Sequence, residues 1–318
     1  MDKNVATQKL AVSLKGVRAS LDLKNPVLTA SGTFGYGLEF SLYGDLRKLG
    51  GIVVKGLSLK PREGNPMPRI AETSYGLLNS VGLQNCGAKA FLKEKLPLLP
   101  VESLPVIVNL YAVATDEFAE LAGLFAGEKG VAALEVNISC PNVREGGLLF
   151  GQDARMAAQV TAAVRKRCPD RPLIVKLTPN VTDIAAIARA CVEAGADIIS
   201  CINTISAMAV DLSTRKPLLA AVTGGLSGPA VKPVALRCVW QVSRAVSVPV
   251  IGIGGVRNAG DVLEFILAGA SAVQVGSASF FCPDTAFRIV EELPALMDKY
   301  GIDDLQALRG SLRIEGGE

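Results

Sequence analysis

The segment VNISCPNVREGG (136–147) sets one thiol, Cys140, among amides and small polar residues, with Asn137 and Asn142 on either side and Pro141 behind it. A thiol in such surroundings can act as a general base toward a carbon acid, because its thiolate form is accessible near neutral pH. By default a cysteine is a small buried hydrophobe, and that reading suits Cys168, Cys191, Cys201 and Cys238. Cys140 stands apart because its neighbours are polar. The sequence also contains no histidine. That excludes Ser-His-Asp and Cys-His nucleophile systems and His-ligated zinc or iron, and it leaves acid–base work to Cys, Lys, Asp, Glu, Tyr or Ser.

Two lysines lie in apolar runs, Lys55 in VVKG (53–56) and Lys176 in VKLTPN (175–180). A buried ammonium group needs a partner. Either each forms a salt bridge with a buried carboxylate, or each stabilises negative charge on a ligand. Asn109, Asn137 and Asn203 end similar runs and favour the ligand, since an amide matches a flat heterocyclic amide donor to acceptor. Glycines recur at the ends of later runs, as GIGG (252–255), GS (276–277) and TGGLSGP (223–229). Glycine is common in tight turns, but Gly254, Gly255, Gly276 and Ser277, helped by Gly228, would also let backbone N–H groups approach a phosphate.

Something must bring these scattered residues together. Eight β-rich runs start at residues 26, 51, 105, 133, 173, 197, 249 and 272, and they are continuously apolar rather than alternating. That pattern predicts parallel strands buried on both faces. Between them, 153–167, 182–194, 229–246 and 258–268 have helical spacing, with Thr182 or Asp183 and Asn258 as caps and Gly195 and Gly269 as stops. Pro229 and Pro233 blur the start of the third helix. The gaps from 51 to 105 and from 197 to 249 are about twice the length of one strand–helix unit, which predicts insertions after strands two and six. Leu10, Val12 and Leu14, then Val17, Ala19, Leu21 and Leu23, alternate around Lys15-Gly16 and predict a hairpin at the barrel's bottom. The expected architecture is one (β/α)8 TIM barrel over residues 1–318, its polar strand ends, Ser31 and Ser139 included, facing one mouth.

Composition agrees. The chain has 318 residues, 49% hydrophobic and 20% charged, with a net charge of +3 and no basic block, so a sizeable core is expected and a nucleic-acid groove is not. Seven cysteines (the five above plus Cys86 and Cys282) never form CxxC, which argues against a disulfide framework, a zinc ribbon or an iron–sulfur cluster in this chain. The start, MDKNVATQKL, lacks an apolar signal core, and no apolar run reaches about 18 residues, so a soluble, cytoplasmic protein without membrane contact is expected.

Taken in order, NSVGLQN (79–85), VNISCPNVREGG, VKLTPNVTDI, INT (202–204), TGGLSGP, GIGGV and VGSASF resemble dihydroorotate dehydrogenase, from about Leu10 to Met297. SCPN followed by GG, together with TGGLSGP, is most similar to the catalytic subunit of the NAD-linked, two-subunit class 1B branch. The resemblance implies an FMN-binding barrel that oxidises dihydroorotate to orotate in pyrimidine synthesis. Ser31, Lys55, Gly56, Asn109, Asn137, Lys176, Ile202, Gly228, Gly254, Gly255, Gly276 and Ser277 would bind FMN, the last four around its phosphate. Lys55, Asn79, Ser80, Val81, Gly82, Leu83, Asn137, Asn142, Asn203 and Thr204 would hold the pyrimidine. Cys140 would be the base and Lys176 would stabilise charge on the flavin. The resemblance further implies a homodimer joined to a separate subunit carrying FAD and a [2Fe–2S] cluster, and no metal in this chain.

The branch that reduces membrane quinones uses serine as base and carries an N-terminal extension, so Cys140 disfavours it. The single-subunit, fumarate-linked branch shares the cysteine. TISAMAV (204–210) and FFCPDTAF (280–287) depart from the family's pattern, the first on the substrate side. A non-redox phosphate-binding barrel, an isomerase or lyase, would use the glycines equally well but has no purpose for three asparagines. A flavin-bearing electron-transfer or scaffold subunit that has lost dihydroorotate chemistry is the third alternative.

Overall fold

The protein is described from a computed structural model covering residues 10–139 and 150–314. Its strands, in chain order, begin with a hairpin of β1 (Val12–Lys15) and β2 (Ser20–Leu23) and continue with β3 (Val27–Thr29) and β4 (Gly51–Val53). Then come β5 (Ile70–Thr73), β6 (Gly76–Asn79), β7 (Val106–Leu110), β8 (Ala133–Asn137), β9 (Leu173–Leu177) and β10 (Ile198–Cys201). The last are β11 (Ile205–Met208), β12 (Val210–Asp211), β13 (Lys216–Pro217), β14 (Thr223–Ser227), β15 (Val250–Ile253) and β16 (Ala272–Val275).

The eight apolar runs become β3, β4, β7, β8, β9, β10, β15 and β16, which pair in parallel and close into a barrel where β16 meets β3. Every residue of β7, β8 and β9 is buried, as continuous apolar strands require when helices cover the outside and side chains fill the inside. Outer helices run over Thr115–Gly123, Ala154–Arg167, Ile184–Glu193, Lys232–Ala245, Ala259–Leu267 and Thr285–Lys299. Asp183 accepts from Ala186 N and Asn258 from Asp261 N at 2.9 Å, so both expected caps operate, and Gly195 and Gly269 follow their helices with positive φ. The segment 229–246 divides into a 3-10 turn, Pro229–Val231, and a helix from Lys232. Its prolines stand where a helix N-terminus has no N–H to satisfy.

The hairpin lies at the floor. Asp197, immediately before β10, accepts from Arg18 N at 2.8 Å and Ala19 N at 3.3 Å in the hairpin and from Leu173 N at 3.1 Å in β9. Its other partner is the buried Arg165 guanidinium. That group also donates to the carbonyls of Gly195, Cys168, Pro169 and Arg171.

The two insertions are present, and they meet. β5 and β6 follow β4, β11 to β14 follow β10, and β11-β14-β6-β5 form one antiparallel sheet. The barrel strands end earlier than the sequence suggests. Lys55, Gly56, Ile202, Asn203, Gly254, Gly276 and Ser277 lie just beyond them. There the backbone leaves the ladder, as when Lys55 N donates to Gly35 O at 2.8 Å.

Candidate active site

At the C-terminal ends of the barrel strands is a cavity of about 870 Å³. Ser31, Lys55, Gly56, Asn109, Asn137, Ser139, Lys176, Ile202, Gly228, Gly254, Gly255, Gly276 and Ser277 all line it. So do Asn79, Ser80, Val81, Gly82, Leu83, Asn203 and Thr204 on the side of the antiparallel sheet. Cys140 and Asn142 lie outside the described residues; Ser139, immediately before Cys140, lines the cavity.

Strand register explains the convergence. Asn109 in β7 sits beside Glu135 in β8, while Asn137 pairs with Lys176, which in turn pairs with Ser200 in β10. Residues of adjacent parallel strands at one level project into the same layer of the barrel. Asn203 Nδ2 reaches Asn137 Oδ1 at 3.3 Å, and Ser139 N donates to the same oxygen at 3.2 Å. Asn180 donates to Thr204 O at 3.0 Å and accepts from Ser206 N at 2.9 Å, which ties the end of β9 to β11.

The lysines bear on the two readings of the sequence. Lys176 is 4% exposed and makes a long contact of 3.5 Å to Ser31 Oγ. Among the described residues neither Lys176 nor Lys55 has a carboxylate within ion-pair distance. Burial pushes the Lys176 ammonium below the usual lysine value, opposed by the charge of Glu135. Burial does the same to Lys55, reinforced by Arg69. Two desolvated ammonium groups facing one cavity call for an anionic or electron-rich occupant.

The glycines shape the wall. Gly255 has φ +75°, and a Cβ there would come within 2.7 Å of Lys232 Cβ and 3.0 Å of Gly228 O, so only glycine lets these two loops touch. A Cβ on Gly56 would lie 2.8 Å from Asn109 Oδ1, covering a carbonyl that has no hydrogen-bond donor among the described residues. A cleft with backbone exposed at one end, amides along it and two cations fits a flat heterocycle bearing a phosphate, which is how FMN is built. Among the described residues no group of His, Cys, Asp and Glu is arranged to hold a metal, and no helix is long and apolar enough to cross a membrane.

Glu135 went unnoticed in the sequence. It is fully buried in β8, and it accepts from Asn109 Nδ2 at 2.7 Å, Gln274 Nε2 at 2.8 Å and Ser200 Oγ at 2.9 Å. The signal was there: an acidic residue inside the apolar run ALEVN (133–137) is as anomalous as the two lysines.

Comparison with known proteins identifies relatives along nearly the whole chain. A family model described as dihydroorotate dehydrogenase matches residues 12–297. The chain is 66% identical over 294 residues to a protein of Solidesulfovibrio magneticus, covering 92% of this chain and 96% of that one. It is 61% identical to a protein of Maridesulfovibrio salexigens, covering 93% and 97%, and 56% identical to one of Geotalea daltonii, covering 98% and 100%. Each of the three is named dihydroorotate dehydrogenase B (NAD(+)), catalytic subunit.

Proposed function

The chain belongs to the dihydroorotate dehydrogenase family, and from that premise we propose that it oxidises dihydroorotate to orotate with FMN at the barrel mouth, as the catalytic subunit of an NAD-linked, two-subunit enzyme. One observation carries the site assignment: Lys55, Lys176, Asn109, Asn137 and Asn203, from five different strand ends, line one cavity in which both ammonium groups lack a carboxylate partner among the described residues. When bound, FMN supplies the hydride acceptor. Ser31, Lys55, Gly56, Asn109, Asn137, Lys176, Ile202 and Gly228 hold its ring and chain, while Gly254, Gly255, Gly276 and Ser277 offer backbone N–H groups to its phosphate. Lys55, Asn79 to Leu83, Asn137, Asn142, Asn203 and Thr204 grip the pyrimidine.

Loss of a proton from C5 and a hydride from C6 creates the C5=C6 double bond of orotate. Cys140, next to the cavity-lining Ser139, takes the C5 proton, which the neighbouring C4 carbonyl acidifies. Lys176 holds a fixed positive charge where negative charge accumulates during oxidation. The asparagine amides orient the pyrimidine so that the proton and hydride leave along defined directions. The relatives' designation as catalytic subunits supports a second subunit. We assign to it the FAD and [2Fe–2S] cluster that carry electrons to NAD, in a heterotetramer built on a homodimer of this chain, in the cytoplasm.

The purified protein is expected to be yellow, and dihydroorotate should bleach it without air. Cys140→Ala should keep the colour and slow bleaching at least about a hundredfold. A colourless protein, or a Cys140→Ala variant bleached at the parent rate, would overturn the corresponding part of the reading. Turnover of the isolated chain with fumarate would replace NAD linkage by the single-subunit alternative.

A further inference from the structure

Glu135 lies beneath the cavity, in the layer of side chains that fills the barrel. Its two oxygens are used unequally. Among the described residues Oε1 accepts only from Asn109 Nδ2, at 2.7 Å, whereas Oε2 accepts from both Ser200 Oγ at 2.9 Å and Gln274 Nε2 at 2.8 Å. All four residues are 0% exposed. A carboxylate only accepts, so it dictates which end of each neighbouring amide faces it. The NH₂ group of Asn109 is turned down to Glu135, and its carbonyl oxygen is left against Gly56 at the cavity wall. That oxygen is buried and has no donor among the described residues. A buried acceptor is rarely left without a donor, and of the four such buried groups among the described residues only that of Asn109 belongs to a residue lining the cavity, where a ligand can supply the donor.

We infer that Glu135 is a positioning residue: by fixing the amide of Asn109 from below, it makes Asn109 present only an acceptor to the bound cofactor, and so selects a ring that offers an N–H at that point. This rests on the reading of the cavity as the FMN site. The electrostatic setting is consistent, since the charge of the same carboxylate acts on Lys176 against the effect of burial.

Glu135→Gln separates orientation from volume. The glutamine has one acceptor and one donor end where the glutamate has two acceptors. Its oxygen is best placed toward Ser200 and Gln274, which bring two donors, and its NH₂ then faces Asn109. Asn109 must rotate to accept, and it turns its own NH₂ to the cavity. The polarity offered to the cofactor reverses with almost no change in shape.

The test is a double-mutant cycle in FMN dissociation constants, measured by quenching of flavin fluorescence, across the parent, Glu135→Gln, Asn109→Ala and the double variant. Glu135→Gln alone should weaken FMN binding about tenfold or more, and Asn109→Ala by a similar factor. In the Asn109→Ala background, Glu135→Gln should then change affinity by less than about twofold. Additive losses would overturn the inference, because Glu135 would then act on the site by another route. Parent protein that binds no FMN would bring down the site assignment and the inference with it. If Glu135→Gln does not fold, a crystal structure of the FMN-loaded parent decides. Asn109 Oδ1 within hydrogen-bond distance of a ring N–H, with Nδ2 still on Glu135, supports the inference, and an amide turned the other way or out of reach of the ring overturns it.

Discussion

The two ends of the barrel treat buried charge in opposite ways. At the floor, Asp197 and Arg165 face one another, and their remaining hydrogen-bonding capacity is met by backbone groups of the hairpin and neighbouring loops. At the mouth, Lys176 is buried and Lys55 half-buried, neither with a carboxylate within ion-pair distance, and the buried Asn109 carbonyl has no donor, among the described residues. The floor's polar groups bind protein to protein, and removing one leaves its partners stranded. On the proposed function, those at the mouth serve a ligand, and removing one should leave the fold intact. Polar burial alone therefore does not mark a functional site, and neither does a single unmet group, since Thr29, Gln274 and Ser279 also carry one away from the cavity. What distinguishes the mouth is several such groups lining one cavity.

The sharpest way to break this contrast is to swap the consequences. Asp197→Ala should cost about 3–5 kcal/mol of stability by leaving Arg165 unpaired, while the folded fraction still binds FMN with parent affinity. Urea denaturation and flavin titration measure both, and a variant of parent stability would erase the distinction. Lys176→Met should do the reverse. Flavin reduction by dihydroorotate should slow about 10²–10³-fold, with the melting temperature unchanged or raised, because an unpaired buried cation is gone. Stopped-flow absorbance and calorimetry check the pair of outcomes.

Smaller effects sharpen it. Gly56→Ala should weaken FMN binding about tenfold, because the new methyl crowds Asn109 Oδ1, with stability changed far less than in Asp197→Ala. The smallest effect is on pH dependence. Burial lowers the folded-state pKa of Lys176 and Lys55 below the 10.5 of an exposed lysine. Below the folded value both states are charged and the full burial penalty applies. As pH rises from there toward 10.5, the folded state loses its proton first and stability increases. Flavin-free protein should therefore gain stability over that window, and Lys176→Met should gain less. A parallel pair of curves would show that Lys176 does not titrate as its burial demands.

Much of this was legible in the residues. Parallel strands covered on both faces must be apolar throughout, so PVIVN and LIVKLT announced themselves, and Lys55 and Lys176 were conspicuous as the charges that broke the pattern. Glycine and capping chemistry fixed the ends of the helices at 184–193 and 259–267. The role of Glu135 was hidden because its partners lie 26, 65 and 139 residues away, and only barrel closure brings them to it. The union of the two insertions was hidden for a different reason. Thr223–Ser227, which joins them, is TGGLS, with neither the alternation nor the β-branched content that marks a strand.

That union has an evolutionary corollary. Leu226 pairs with Ile205 on one side and with Leu78 on the other, so segments far apart in the sequence share one woven wall above the pocket. Lengthening either by a single residue within its strand would turn its own side chains to the opposite face of the shared sheet. Retuning the entrance to a new substrate would thus demand paired changes, and lineages of this enzyme should be expected to inherit both segments as a unit.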